Sequence, residues 1–291
     1  MKNRIQNERW GWEIALEMFF IGSASGAFLS IFFLQIIEDA NFYTNTLWIP
    51  LVLSLIGTVF LLKDLGHPLR AWRSIFNISS TISLGAIIVS VFILCLAFIL
   101  VSKDSGRDAI LPRPFFSGLV ALIAISLSLY PGILMIEVKG RGFVLAIFAP
   151  ILFFASSLAS GASWVILAGI LTDGRLVSPT VFPTLNLFIF SFLLAQLLIL
   201  ISWGLMGWRL GREKWQEVQR AYKEKKEIFI LGGIGTILPL FSILTLNQTI
   251  LVMTFQFCLV IISGITLRSL LLLRGNSVDL KEIRYLLKLM S

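Results

Sequence analysis

Eight long apolar runs, separated by short polar joints, constrain the fold of this 291-residue chain more than any other feature. A helix crosses about 30 Å of hydrocarbon with about 20 apolar residues. The sequence therefore predicts an all-α integral membrane protein with eight transmembrane helices. The predicted spans lie near residues 14–37, 47–62, 78–101, 115–136, 143–170, 181–207, 228–247 and 249–273.

The composition supports insertion into a bilayer. Only 14% of the residues are charged and 57% are hydrophobic, whereas soluble domains carry about 25% charged residues. The first apolar run exceeds a signal-peptide core and is followed by no small-residue cleavage site, so we expect the N-terminus to be retained. The net charge of +8 resides in the joints between spans, and we therefore predict a membrane lipid environment and no nucleic-acid partner.

The basic residues are distributed unevenly between the two sets of alternate joints. One set, with both termini and the 63–77 joint, carries 20 of the 24 Lys and Arg residues. Because Lys and Arg resist translocation, we expect a multi-pass protein of the plasma membrane with both termini in the cytoplasm. Some of these charges could instead serve a protein partner, above all those of the basic 208–227 loop.

Two small-residue clusters indicate close helix packing and a possible duplication. Gly22-Ser23-Ala24-Ser25-Gly26 lies in the first span, and a serine-rich cluster at 156–162 lies in the fifth, each after a Phe-Phe pair. If they are equivalent, the chain has two four-helix halves, 1–142 and 143–291, arranged as two four-helix bundles. Small residues also let any two membrane helices approach closely, so packing without duplication stays the alternative.

The chain has one histidine, His67, and two cysteines. Membrane haem is commonly held by pairs of histidines, which a single residue does not supply. Cys95 and Cys258 lie within apolar runs and lack C-x-x-C spacing. We therefore expect no haem, iron-sulfur cluster or other metal in this chain, with both cysteines acting as core thiols.

Four carboxylates interrupt the apolar pattern at one end of the predicted bundle. Glu13 and Glu17 are one turn apart early in the first span, Asp64 closes the second and Glu137 closes the fourth. An ionisable group at membrane depth is a functional candidate. Near a helix end it can also reach interfacial water, and the positive end of the helix dipole favours Glu13 and Glu17 without any function.

Several motifs occur in the order found in a known family. The most specific is Asp64-Leu65-Gly66-His67-Pro68-Leu69-Arg70-Ala71-Trp72, in the joint after the second span. Trp10-Gly11-Trp12-Glu13 leads into the glycine cluster, Tyr130-Pro131-Gly132 lies late in the fourth span, and the eighth contains Gly264-Ile265-Thr266-Leu267-Arg268. Together they resemble the NrfD-like family, the membrane subunits of polysulfide reductase and, more distantly, of dimethyl sulfoxide reductase.

The resemblance implies a haem-free anchor that binds a quinone, of the menaquinone or ubiquinone type. It also implies a ferredoxin-like iron-sulfur subunit beside it and a molybdopterin subunit beyond, so that this protein is not a catalyst on its own. Two positions depart from the family pattern. Glu17 stands where an aromatic residue is common, and Gln196 stands where an acidic one is common, which makes a proton route through the sixth helix doubtful.

Quinol oxidation releases two protons, so a site needs hydrogen-bonding partners and a base. We predict that Asp64 or Glu17 is the base and that Tyr130 donates a hydrogen bond to a ring oxygen. Gly22 and Gly26 would let the ring or its tail approach the first helix. His67 and Arg70 would lie at the mouth of the site, although the proline after His67 also fits an exposed turn residue without a role in catalysis.

Two other functions remain open on the sequence alone. A secondary transporter would account for a repeat and for carboxylates in the membrane, but transporters bind near the midplane whereas these carboxylates lie at one end. A purely structural anchor for a soluble oxidoreductase would need no quinone.

Overall fold

The computed structural model describes residues 12–38, 45–64, 81–104, 113–137, 143–209, 236–245 and 250–274. Eight α-helices occupy these ranges, with short 3-10 turns at Asn45–Leu47 and Pro179–Val181. The helices are α1 (Trp12–Glu38), α2 (Trp48–Asp64), α3 (Thr81–Asp104), α4 (Arg113–Glu137), α5 (Phe143–Leu171), α6 (Phe182–Arg209), α7 (Leu238–Thr245) and α8 (Ile250–Arg274).

Seven of these helices are long and apolar enough to cross a membrane, and the protein is accordingly a multi-pass membrane protein. They match the predicted spans to within a few residues. The exception is the span predicted at 228–247. Within the described residues its helix, α7, covers only Leu238–Thr245, and residues 228–235 lie outside the described part of the sequence.

The helices α1 and α5 form the centre of the bundle. The most extensive contacts of α1 are with α2 and α5, and α5 also packs against α4, α6 and α8. Because α4 packs against both α1 and α5, the two proposed halves share one central interface. The separation into two four-helix bundles stays a prediction, as does the boundary near residue 142.

Small residues bring α1 and α5 together. A Cβ added at Gly26 would meet the backbone carbonyl of Ser157, and one added at Gly161 would meet the backbone of Gly26 and Ala27. Backbones this close gain van der Waals contact that larger side chains would prevent. The ascending order of these contacts shows that α1 and α5 run parallel.

The serine hydroxyl groups inside this apolar interface form hydrogen bonds with one another or with carbonyls of their own helix. Ser23 Oγ donates to Ser160 Oγ across the two helices at 3.0 Å, and Ser25 and Ser30 donate to carbonyls of their own helix, Gly22 O and Gly26 O, at 2.8 Å. An unsatisfied hydroxyl in hydrocarbon would cost several kcal/mol. The serine-rich clusters are therefore compatible with the membrane core.

A smaller apolar cluster, which we call the junction cluster, joins four helices at one end of the bundle. At this end α1 begins, and α4 and α8 terminate. The cluster brings together parts of α1, α4, α5 and α8, so that α1 runs antiparallel to α4 and α8. Its buried members are Ala15, Met18, Leu134, Met135, Ala149, Leu152, Phe153, Leu267 and Leu271. We call this end of the bundle the carboxylate end.

Candidate functional site

The beginning of α1 and the end of α2 meet at the carboxylate end. Glu13 Oε1 lies 4.0 Å from Lys63 Nζ, and the same ammonium lies 4.9 Å from the centre of the Trp12 ring. Trp12 packs edge-on against Phe60, with ring centres 6.3 Å apart. The side chain of Lys63 is 59% exposed, so the ion pair contributes at most about 1 kcal/mol. These contacts hold the two helix ends beside each other.

Glu17 lies half-buried, one turn further into α1. Positions four apart lie on the same helix face, so Glu17 shares the face that Glu13 presents to α2. Consistent with this, a Cβ added at Gly57 on α2 would lie 3.4 Å from the backbone carbonyl of Glu17. Asp64 is the last residue of α2, directly after Lys63, while its side chain lies outside the described part of the structure.

Tyr130 lies inside α4, half-buried, at the same end of the bundle. Its ring and hydroxyl pack where a Cβ of Gly85 on α3 would be, and it also packs against the junction cluster. The missing side chain at Gly85 thus makes the space for the phenol. The structure places Tyr130 between α3 and the junction cluster, with its hydroxyl at a helix interface.

The two glycines of α1 face α5 instead of an open groove. A Cβ at Gly22 would lie 2.6 Å from Ser157 Oγ and 2.7 Å from a guanidinium nitrogen of Arg268, and the Cβ position of Gly26 is filled by the Ser157 backbone. These contacts support helix packing as the role of Gly22 and Gly26. They do not support the prediction that a quinone ring approaches α1 at these two positions.

The most buried charge in the described structure is Arg268, with no exposed surface. Its Nη1 donates to Ser156 Oγ at 3.0 Å and to Gly264 O at 3.1 Å, and its Nη2 donates to Ser157 Oγ at 2.9 Å. Its Nε is buried without a hydrogen-bond partner. The guanidinium carbon lies 5.4 Å from the Phe19 ring centre and 5.6 Å from that of Phe153.

The sequence motif already put Arg268 in the eighth predicted span but gave it no role in the site, and its complete burial was not predicted. The structure places it within the apolar span Ile250–Ser269. Its two aromatic neighbours, Phe19 and Phe153, are the first residues of the two Phe-Phe pairs that precede the small-residue clusters. A lone arginine in an apolar run, four residues after a glycine, was the sequence signal for this site.

The second half of the sequence contains its own buried polar contacts. Gln196 Nε2 on α6 donates to Thr236 Oγ1 at 3.0 Å, and Gln256 Nε2 on α8 donates to the carbonyl of Ser242 on α7 at 2.7 Å. Both glutamines are buried. These bonds fix the short helix α7 between α6 and α8, and they give the Gln196 amide a structural role.

Two of the predicted site residues, His67 and Arg70, lie outside the described residues. The same holds for Trp10 and Trp72, for residues 210–227 of the predicted 208–227 loop and for the tail after Arg274. The roles expected of these residues therefore stay predictions.

The described residues can be compared with the needs of a quinone head group, which are a hydrogen-bond donor, a proton acceptor and an apolar surround. Tyr130 supplies a hydroxyl in the space left by Gly85, Glu17 supplies a half-buried carboxylate, and the junction cluster supplies apolar surface. Among the described residues no group of three His, Cys, Asp or Glu could hold a metal ion. The side chains present fit a quinone better than a metal centre.

Comparison with known proteins identifies the family. The family profile described as polysulphide reductase, NrfD matches residues 1–278. The C subunit of the polysulfide reductase of Wolinella succinogenes is 27% identical over 191 residues, a match that covers 57% of this sequence and 60% of that relative. The matched region thus spans less than two thirds of the relative. Because the family profile covers nearly the whole sequence, this protein belongs to the NrfD family of membrane proteins.

Proposed function

We propose that this protein is the haem-free membrane anchor and quinone-binding subunit of a multi-subunit oxidoreductase. Electrons pass between the quinone pool and an iron-sulfur, ferredoxin-like subunit, which in turn serves a molybdopterin catalytic subunit. The protein performs no complete reaction by itself. Membership of the NrfD family and the name of its relative, a polysulfide reductase subunit, support this assignment.

One structural observation carries the proposal. Tyr130 on α4 and Glu17 on α1, a phenol and a carboxylate, lie half-buried at the same end of an otherwise apolar bundle. The two helices meet through the junction cluster, in which Met18 next to Glu17 and Leu134, four residues after Tyr130, are both members. A donor and a base thus lie near one interfacial region, as quinol chemistry requires.

Each residue has a defined task in this proposal. A bound quinone supplies the two-electron, two-proton chemistry that connects the pool to the partner subunit. The Tyr130 hydroxyl donates a hydrogen bond to a ring oxygen and holds the ring against the junction cluster. Glu17 or Asp64 accepts a proton and passes it toward the interfacial water at the carboxylate end. His67 and Arg70, in the joint after α2, form the mouth of the site.

The test uses the assembled complex in membranes and compares Tyr130→Phe, Glu17→Gln and Asp64→Asn with the unchanged protein. We expect quinol-linked turnover to fall at least about fivefold for the residue that contacts the ring, since one hydrogen bond is worth about 1 kcal/mol or more. Partner-subunit content, measured by immunoblot, should stay unchanged. Ser126→Ala is the matched control, because this hydroxyl on α4 is exposed and donates to its own helix.

The same experiment separates the competing functions. A purely structural anchor would keep full quinol-linked turnover in all three variants, and that result would reject the quinone site. A secondary transporter would instead show solute flux in proteoliposomes that contain this protein alone. Full turnover in the variants together with flux would replace the present proposal with transport.

A further inference from the structure

The guanidinium of Arg268 carries a positive charge into an apolar span, and its hydrogen-bond partners among the described residues are neutral. Its hydrogen-bond acceptors are two serine hydroxyls, on Ser156 and Ser157, and the carbonyl of Gly264. Within the described ranges, no carboxylate lies within ion-pair distance of it. Arginine stays protonated in proteins, and a buried charge is ordinarily paired. The charge of Arg268 is therefore held by dipoles and leaves a positive potential around it.

Two aromatic rings lie close to the guanidinium without neutralising it. Phe19 belongs to α1 and Phe153 to α5, at 5.4 Å and 5.6 Å from the guanidinium carbon. Cation–π contacts of this kind stabilise a desolvated cation. These cation–π contacts and the three hydrogen bonds together stabilise the buried charge of Arg268. Its Nε remains a donor without a hydrogen-bond partner among the described residues.

This charge lies beside the apolar part of the proposed quinone site. Phe153, which the guanidinium contacts, is a member of the junction cluster against which Tyr130 packs. Phe19 follows Glu17 by two residues on α1, so these two side chains point to different faces of that helix. A charge buried in a medium of low polarity acts beyond its direct contacts, because solvent and salt screen it little.

We propose that Arg268 makes the quinone site electropositive, so that the site binds a negatively charged ring more tightly than a neutral ring of the same shape. This inference rests on the proposed quinone-binding function. Arg268 acts here as a positioning and electrostatic residue that does not touch the ring. At an effective dielectric constant of about 20, a unit charge within about 12 Å of an anionic ring would change its affinity by roughly tenfold or more.

The test measures binding instead of turnover. The probes are a 3-alkyl-2-hydroxy-1,4-naphthoquinone, which is an anion at neutral pH, and its 2-methyl ether, which is neutral and nearly the same size. Dissociation constants are measured by calorimetry on the assembled complex in nanodiscs. We expect Arg268→Gln to weaken anion binding by about tenfold and to leave binding of the ether within about threefold.

Three further variants separate the charge from the packing. Arg268→Lys keeps the positive charge. The double variant Ser156→Ala with Ser157→Ala also keeps it but removes two of the hydrogen bonds to the guanidinium. Ser23→Ala removes a neutral hydrogen bond elsewhere in the α1–α5 interface. We expect all three to keep the preference for the anion. If Arg268→Gln does not assemble, Arg268→His measured at pH 8 replaces it, because a buried imidazole is neutral at that pH. A preference for the anion below that of Arg268→Lys supports the inference, and an equal preference overturns it.

The outcomes distinguish this inference from the proposed function. Binding of both probes with an unchanged ratio in Arg268→Gln would overturn the role of Arg268 and leave the quinone site intact. Binding of neither probe to the unchanged complex would overturn the quinone site, and the role of Arg268 with it.

Discussion

Arg268 Nη2 on α8 donates a 2.9 Å hydrogen bond to Ser157 Oγ on α5, which joins two helices across 111 residues of sequence. The bond lies beside Gly22 of α1, whose missing side chain makes room for both groups. Three helices of the bundle thus meet around one buried charge. Much of the stability of this interface should therefore depend on small residues and hydroxyls, since bulky apolar side chains would not fit.

Ser157→Ala should destabilise the protein by about 1.5 to 3 kcal/mol, because the hydroxyl accepts a hydrogen bond from a charged group. Thermal unfolding in a mild detergent, followed by size-exclusion chromatography after heating, measures the change. Ser90→Ala is the control, because Ser90 on α3 is exposed and donates to the carbonyl of Ala86 in its own helix. Equal thermal stability of Ser157→Ala and the unchanged protein would show that the Arg268 contact is not stabilising.

Gly161→Ala should separate α1 from α5. The added methyl group would overlap the backbone of Gly26 and Ala27, and overpacking of a close interface costs about 1 to 3 kcal/mol. Gly118→Ala on α4 provides the comparison, since nothing lies within 4 Å of its Cβ position and alanine favours helix by up to about 1 kcal/mol. We expect a lower unfolding temperature for Gly161→Ala and an equal or higher one for Gly118→Ala, and the reverse order would refute this packing.

Gly85→Ala should impair the proposed site without removing any polar group. Its methyl group would occupy the space of the Tyr130 phenol, so the hydroxyl must move. We expect quinol-linked turnover to fall about as far as in Tyr130→Phe, about fivefold, because the same hydrogen bond is lost. Turnover of the assembled Gly85→Ala complex at the level of the unchanged protein would show that the position of Tyr130 is irrelevant to function.

Glu13→Gln should have little effect on stability. The Glu13–Lys63 pair is 4.0 Å apart and its lysine is 59% exposed, and such pairs contribute about 0.2 to 1 kcal/mol. The difference in unfolding temperature between Glu13→Gln and the unchanged protein should shrink further as salt is added. A larger loss that persists in high salt would mean that the pair is buried more deeply than this geometry indicates.

The transmembrane helices follow directly from the hydropathy pattern. A run of about 20 apolar residues that crosses the bilayer has to pair every backbone N–H and C=O group within the protein. A single segment can do this by itself only as a helix. The bounds of α1, α2 and α8 accordingly agree with the apolar runs to within about two residues. The span predicted at 228–247 is described only over residues 236–245, where α7 covers Leu238–Thr245, and the remainder of that span stays a prediction.

The buried environment of Arg268 was less accessible to sequence reasoning. Near the end of an apolar run, an arginine ordinarily extends its long side chain to the interface, and nothing in α8 alone distinguishes the two cases. Burial depends on Gly22, Ser156 and Phe153, of which the nearest in sequence, Ser156, is 112 residues away. The same limit applies to Gly85, whose role becomes visible only when α3 lies against Tyr130.

Photolabelling with an azido-quinone tests the central claim, a quinone site at the carboxylate end, most directly. The assembled complex is illuminated with the probe, digested and mapped by mass spectrometry, with and without an excess of native quinone. We predict adducts on α4 around Tyr130 or on α3 around Gly85, suppressed by native quinone. Adducts confined to lipid-facing positions of α6 and α8, and insensitive to native quinone, would contradict the account.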